Sequence, residues 1–283
     1  HRGRGDEVSE SERQGAKRAP RHKHTHRRGV YFRKRLVAVR ASSRVGGRNQ
    51  QCLKRGVACI TMRLGTTVPD FAADSTAGPI KWHEFIEGSW AILFSHPADF
   101  TPVCTTELGS VAKLKGEFDR RGVKVAALSC NDTASHQGWI KDIESVDFCG
   151  GQPVAYPIIS DPTRDIAVLY GMLDPEEKDA AGKPMTCRAV FIIKPNKTLA
   201  LSFLYPATTG RNFDEVLRVI DSLQLTAAHS VATPAGWASG DKCMVAPTLS
   251  DAEAKQKFDK GFTTVEVPSG KGYLRLTPDP SSA

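Results

Sequence analysis

No run of about 18 or more apolar residues occurs in this 283-residue chain, so no segment reads as a membrane-spanning helix. The longest apolar stretches, Trp90 to Phe94 and Ala189 to Ile193, have the length of strands. No Cys-x-x-Cys pair occurs among the seven cysteines, which excludes zinc-ribbon and paired-redox spacing. Those cysteines are Cys52, Cys59, Cys104, Cys130, Cys149, Cys187 and Cys243. An odd count in a chain of this length does not fit a secreted disulfide scaffold. A reducing compartment is the expectation, with one thiol free to act as a nucleophile. No internal repeat is found, and no acidic residue occurs from Arg13 to Pro69.

That last absence decides how the charge is read. The net charge of +8 divides into a basic leader and a mildly acidic body. Residues 1–60 hold 17 Lys and Arg against 4 Asp and Glu, and the remainder holds 22 against 27. The overall basicity is therefore not a nucleic-acid surface on the fold. Residues 1–61, rich in Arg, His, Ser and Gly, bury too little apolar surface to order themselves. Four readings compete for them. An Arg-rich, acid-free leader fits a transit peptide, which would send the protein to a chloroplast or mitochondrion. Met62, directly before the patterned body, fits an initiator, which would leave the protein cytoplasmic. A nucleic-acid-binding arm is less supported, because only Tyr31 and Phe32 interleave its charges. A solvated tail without function is the fourth. No specific nucleic-acid partner is expected.

From Met62 the pattern becomes that of a folded body. Strands are expected at Trp90 to Phe94, Val123 to Ser129, Pro157 to Ile159, Arg188 to Ile193 and Thr198 to Leu204. Helices are expected at Thr105 to Arg120, Ser135 to Val146, Arg164 to Tyr170 and Asn212 to Leu223. Their apolar positions recur at helical spacing, as in Phe213, Val216, Leu217 and Ile220. The order β-α-β-α-β-α-β-β-α predicts an α/β fold, a central sheet flanked by helices. Residues 62–227 form this domain. Residues 228–283 change to turn-rich composition, with a short helix near Ser250 to Phe258, and form a small appended C-terminal domain.

The chemistry concentrates at Phe94-Ser-His-Pro-Ala-Asp-Phe-Thr-Pro-Val-Cys-Thr-Thr-Glu107. A strand ends near Ser95, and Pro102, lacking an N–H, suits a helix start. Cys104 then falls in the first helical turn, where the dipole and free N–H groups favour a thiolate. Thr101 lies three residues earlier, with a hydroxyl able to donate to the sulfur or to an incoming oxygen. A buried structural cysteine beside a turn fits the same spacing.

The run Pro97-x-x-x-Thr101-x-x-Cys104 with Glu107 resembles the active-site motif of the peroxiredoxins. The longer run Ser95 to Gly109, with Gly171 to Asp179 and Leu204 to Leu225, resembles their one-Cys subfamily. The resemblance spans Leu64 to Pro280. It implies a thioredoxin-like fold and an antioxidant thiol peroxidase that reduces hydrogen peroxide and organic hydroperoxides, phospholipid hydroperoxides among them. By the same resemblance Cys104 is the nucleophile and becomes a sulfenic acid. Thr101 would hydrogen-bond the thiolate and the peroxide, and Arg188 would complement the charge on sulfur and leaving oxygen. Pro97 would shield the site, Glu107 and Arg211 would orient the arginines, and His96 would stand near the thiolate. No cofactor and no metal is needed.

Two-Cys relatives carry a resolving cysteine in a Val-Cys-Pro motif, whereas here Cys243 stands in Lys-Cys-Met. An external thiol reductant is therefore expected: glutathione with a glutathione transferase, a thioredoxin-type protein, or ascorbate. Cys187 adjoins Arg188 but should point to the opposite face of its strand. A homodimer is implied. A redox-switched chaperone or oligomer is the alternative from another class.

Some one-Cys peroxiredoxins are credited with phospholipase activity through a Ser/His/Asp set. The matching positions are Ser89, His83 and Asn196. The acid is an amide here, and the glycines of Gly-x-Ser-x-Gly are replaced by Glu87 and Ala91. Little or no such activity is expected.

Overall fold

The computed structural model describes residues 62–282. The basic leader, with Cys52 and Cys59, lies outside the described residues. In chain order the elements are β1 (Ala72–Ala73), β2 (Ile80–Lys81), α1 (Trp82–Phe85), β3 (Trp90–Ser95), α2 (Pro102–Lys113), α3 (Lys115–Arg120) and β4 (Val123–Ser129). Next come α4 (Thr133–Ser145), β5 (Ile158–Ser160), α5 (Asp165–Leu169), β6 (Leu173–Lys178), β7 (Pro184–Thr186), β8 (Arg188–Ile193), β9 (Leu199–Tyr205) and α6 (Phe213–Ala228). The C-terminal segment adds β10 (Val231–Ala232), β11 (Cys243–Val245), α7 (Asp251–Lys257), β12 (Thr263–Thr264) and β13 (Arg275–Thr277).

The central sheet has five strands in the order β5-β4-β3-β8-β9. β3, β4 and β5 run parallel, and β8 and β9 are antiparallel additions on the other side of β3. The middle strands are buried on both faces, which is why Trp90–Phe94 and Ala189–Ile193 read as unbroken apolar runs. Side chains still alternate. Ile92, Phe94, Val190 and Ile192 join Cys104, Leu108, Trp139, Phe213 and Ile220 in one core cluster. Ala91, Leu93, Ala189, Phe191 and Ile193 join Trp82, Tyr170 and Met172 in the other. Arg188 shares the parity of Val190 and Ile192, so the strand aims it at the Cys104 side. Cys187 has the opposite parity and packs against the second cluster.

One sequence expectation is corrected. The helix expected over Thr105 to Arg120 starts earlier, at Pro102, and breaks at Leu114, which adopts φ −90 and ψ 5. Gly116, a poor helix former, lies in the first turn of α3, two residues beyond the break. In α4 the buried face is His136, Trp139 and Ile143, with Ile140 only partly covered. The face thus begins with a histidine that a search for apolar residues passes over. The β6–β7 hairpin was not foreseen, because Leu-Asp-Pro-Glu-Glu-Lys is charged and half exposed, without an alternating pattern.

The C-terminal segment forms its own antiparallel sheet, β10-β11-β13-β12. Its core is Val231, Trp237, Cys243, Val245, Ala254 and Phe258 closed over Leu225 of α6. Ser250 caps α7: its hydroxyl accepts from Glu253 N–H while the Glu253 carboxylate accepts from Ser250 N–H.

Candidate active site

The site begins where β3 runs out. His96 N–H donates to the Leu128 carbonyl, and the Thr186 hydroxyl donates to the His96 carbonyl at 2.6 Å. The chain then turns through buried Pro97 to Phe100, which holds φ +55, a left-handed conformation that costs energy for a bulky residue. Thr101 is extended at the N-cap of α2, Pro102 opens the helix, and Cys104 sits in its first turn, fully buried. No side chain caps this end of the helix.

The Thr101 hydroxyl was expected to donate to the sulfur. Its proton instead goes to the Ala98 carbonyl at 2.9 Å, which closes the loop around Pro97. The Thr101 oxygen can still accept a hydrogen bond.

Arg188 arrives from β8. Its Nη1 is 3.3 Å from Cys104 Sγ and donates to Glu107 Oε2 at 2.7 Å, while its Nε donates to the Ala207 carbonyl at 3.0 Å. Glu107 lies one turn beyond Cys104 on α2 and also receives Arg211. Arg211 Nη2 donates to Oε2 at 2.8 Å, and its Nε and backbone N–H donate to Oε1 at 2.9 and 2.8 Å. Arg211 Nη1 reaches the Ser95 and Ala189 carbonyls, tying α2 to strands β3 and β8. All three charged side chains are buried. Burial alone would raise the Glu107 carboxyl, but Arg211 and then Arg188 outweigh it and hold the group below the ordinary carboxylate range. Two guanidiniums around one carboxylate leave excess positive charge beside the sulfur.

His96 was expected beside the thiolate. Its hydrogen bond goes to Asp99, Nε2 to Oδ1 at 2.8 Å, and its ring packs on Trp139 with centroids 5.1 Å apart. Asp99 in turn takes His136 Nδ1 on Oδ2 at 2.7 Å. The sequence reading missed Asp99, Ser135 and His136. The only signals were a polar i, i+3 pair, His96 and Asp99, in an apolar surrounding, and His136 on the helical spacing of Trp139 and Ile143. His96, Asp99 and His136 offer ligand atoms within 4.8 Å of one another, a spacing that could hold a cation. Their mutual hydrogen bonds account for the arrangement without one.

The Ser89, His83 and Asn196 set is not brought into a triad. His83 Nε2 pairs with the Val68 carbonyl at 2.9 Å, the Ser89 hydroxyl faces the Glu87 carbonyl, and Asn196 Oδ1 accepts from Thr198. No hydrogen bond joins any two of them among the described residues.

The five cysteines of the described residues are all free thiols. Burial pushes Cys130 up to about 11 and raises Cys187 and Cys243 as well. Cys149 is fully buried against the Glu144 carbonyl.

Comparison with known proteins agrees with this geometry. Residues 64–202 match the AhpC/TSA family, and residues 222–261 match the C-terminal domain of 1-Cys peroxiredoxin. The chain is 58% identical over 220 residues to peroxiredoxin-6 of Gallus gallus, covering 77% of this chain and 97% of that protein. It is 56% identical over 219 residues to peroxiredoxin-6 of Homo sapiens, with the same coverage. Among solved structures, a Cys-to-Ser mutant of peroxiredoxin 6 from Arenicola marina superposes with a TM-score of 0.75 at 56% identity, covering 78% of this chain and all of that one. A yeast mitochondrial 1-Cys peroxiredoxin superposes with a TM-score of 0.69 at 45% identity, covering 77% of this chain and all of that one.

A thiol in the first turn of a helix, an arginine from a neighbouring strand and this relationship define the class: the chain belongs to the peroxiredoxin family, enzymes that reduce peroxides with a thiol. Within it, the chain is a one-Cys peroxiredoxin of the peroxiredoxin-6 type. The fold is thioredoxin-like, as expected, and the activity is that of a thiol-dependent peroxidase.

Proposed function

We propose that Cys104 is the peroxidatic nucleophile and that Arg188 is its electrostatic partner. The observation that carries this is Arg188 Nη1 at 3.3 Å from Cys104 Sγ, held there by Glu107. The guanidinium favours the thiolate and meets the charge that develops on the peroxide. The thiolate attacks the terminal peroxide oxygen, an S–O bond forms, and the O–O bond breaks. Sulfur is oxidised by two electrons to the sulfenic acid, and the other oxygen leaves and takes a proton to become water or an alcohol. Thr101 lines the approach and Pro97 keeps water from the sulfur. Glu107 and Arg211 position Arg188.

The sulfenic acid then needs a reductant. Cys187 packs on the far face of the sheet, the thiols of Cys130 and Cys243 are held protonated, and Cys149 is fully buried with its thiol donating to the Glu144 carbonyl, which favours an external thiol as the donor. The yeast relative is described as resolved via glutathione and thioredoxin systems, and the same donors are the first to test here. A homodimer is the proposed assembly. Beyond Leu199, which already pairs with Gly65 and Thr66, the outer edge of β9 carries Leu204 at 63% exposure and is open to pairing. The compartment is tested by N-terminal sequencing of the native protein combined with organelle fractionation.

The test of the function is peroxide consumption driven by dithiothreitol. The intact enzyme turns over and Cys104→Ser does not. Full activity in Cys104→Ser would overturn the assignment.

A further inference from the structure

The first turn of α2 carries the nucleophile on a weakly secured helix end. No side chain caps it, and Pro102 brings no N–H. Helix ends fray where their terminal groups lack partners. Two residues outside the chemistry above reach this turn. Thr105, next to Cys104, donates its hydroxyl proton to the Thr101 carbonyl at 2.8 Å, and its N–H reaches the same carbonyl at 3.0 Å. The Thr105 oxygen in turn accepts the indole N–H of Trp139 at 3.2 Å.

A hydroxyl has one proton to give, so these bonds run one way, from Trp139 Nε1 to Thr105 Oγ1 and on to the Thr101 carbonyl. Trp139 is fully buried on α4, where an indole N–H needs an acceptor, and Thr105 supplies it. α4 is a firm base for the chain of bonds. Asp132 caps its start by accepting from Ser135 N–H, and Trp139 and Ile143 share a core cluster with Cys104. The indole also packs on His96 and Phe100, with ring centroids 5.1 and 6.4 Å away, so it borders the loop that leads into α2. Arg188 is held from β8 by Glu107 and the Ala207 carbonyl. The 3.3 Å between Arg188 Nη1 and Cys104 Sγ therefore depends on the first turn of α2 staying wound.

We infer that Thr105 and Trp139 are positioning residues for peroxide reduction: the chain from indole to hydroxyl to carbonyl ties the start of α2 to α4 and holds the Cys104 sulfur within reach of Arg188. Both act through the backbone of Thr101 rather than on the peroxide. A misplacement of about 1 Å at a reacting centre can cost about 10²-fold in rate, so losing this tether slows the chemistry even where the fold survives. The inference rests on Cys104 as the nucleophile and Arg188 as its partner.

The test is the rate of a single turnover of the whole reduced protein with hydrogen peroxide, read from residual peroxide after rapid quenching. Thr105→Val keeps the shape of the side chain and loses the hydroxyl. It should slow the turnover about 10-fold, the scale of one hydrogen bond. Trp139→Phe keeps a ring against His96 and loses the N–H, and should slow it to a similar extent. Thr105→Ser keeps the hydroxyl and should recover most of the rate. Because the two residues share one bond, the double variant Thr105→Val/Trp139→Phe should be about as slow as the slower single variant. A Thr105→Val rate within about twofold of the intact enzyme would overturn the proposal. So would Thr105→Ser as slow as Thr105→Val, or a double variant slowed by the product of the two single effects. In the intact protein the Trp139 indole proton should exchange slowly with solvent by NMR, and exchange as fast as that of an exposed indole would overturn the proposal whether or not the variants fold. Peroxide consumption retained by Cys104→Ser would instead bring down the underlying reading of the nucleophile, and the proposal with it.

Discussion

Arg188 Nη1 stands 3.3 Å from the sulfur of Cys104, and the two residues reach that distance from opposite ends of the site's construction. Cys104 is delivered by the first turn of α2 and Arg188 by the parity of strand β8. Glu107 joins them by receiving Arg188 and Arg211 on one carboxylate.

Replacing Arg188 by Lys keeps the charge but loses the fork that spans Glu107, the Ala207 carbonyl and the sulfur. Arg188→Lys should lower kcat/KM for hydrogen peroxide by roughly 10²-fold or more, the scale on which one preorganised donor is worth in such a site. Stopped-flow peroxide consumption measures it.

Glu107→Gln removes the carboxylate that faces two buried guanidiniums. Breaking a buried ion pair from one side costs about 3–5 kcal/mol, because the partner charges stay buried and uncompensated. Urea unfolding should show a loss of that order. A stability equal to that of the unaltered protein would show that the buried guanidiniums do not depend on Glu107.

The pH dependence of stability has a definite sign. Glu107 and Asp99 fall below their ordinary values of 4.5 and 3.8 on folding, so they stabilise the fold above those values. That contribution is lost as pH falls below about 4.5 toward the folded values. His96 falls below 6.5, so folding disfavours its protonated form and stability also declines as pH drops beneath 6.5. Unfolding midpoints should therefore fall steadily from pH 7 to pH 4. Below about pH 4 the further decline should be shallower in Asp99→Asn, which lacks that carboxylate. A flat profile over this range would contradict the assignment of these buried groups.

The set Ser89, His83 and Asn196 should not act as a lipase triad. Each side chain is committed to a local partner, and no carboxylate backs the histidine. Ser89→Ala should leave peroxidase activity unchanged, and fatty-acid release from phosphatidylcholine should stay at background in both proteins. Strong Ser89-dependent release would contradict this.

How much of this was legible in the sequence depends on the kind of signal. The strands Trp90–Ser95 and Val123–Ser129 announce themselves because a sheet covered on both faces needs continuous apolar residues. The helix start placed Cys104 in a first turn, a position that a buried structural cysteine fits as well, and the roles of Cys104 and Arg188 came from the family resemblance. The Glu107–Arg211 contact spans 104 residues, and only the family motif pointed to it. The Asp99–His136 contact spans 37 residues and carries no motif or periodicity beyond one histidine on a buried helical face. Thr101 was placed in the right loop but donates to a different partner, and the Asp99 partner of His96 was not foreseen. Loop hydroxyls and imidazoles bind whichever carbonyl or carboxylate the turn presents, and Ala98 and Asp99 are closest in the chain.

The most direct test of the central claim is to treat the reduced protein with one equivalent of hydrogen peroxide in the presence of dimedone and locate the adduct by peptide mass spectrometry. Dimedone captures sulfenic acid and so marks the sulfur that the peroxide oxidised. The account predicts a single adduct on the peptide carrying Cys104, absent when Arg188 is replaced by Ala at the same peroxide exposure. An adduct on Cys130 or Cys187 with Cys104 unmodified would contradict it.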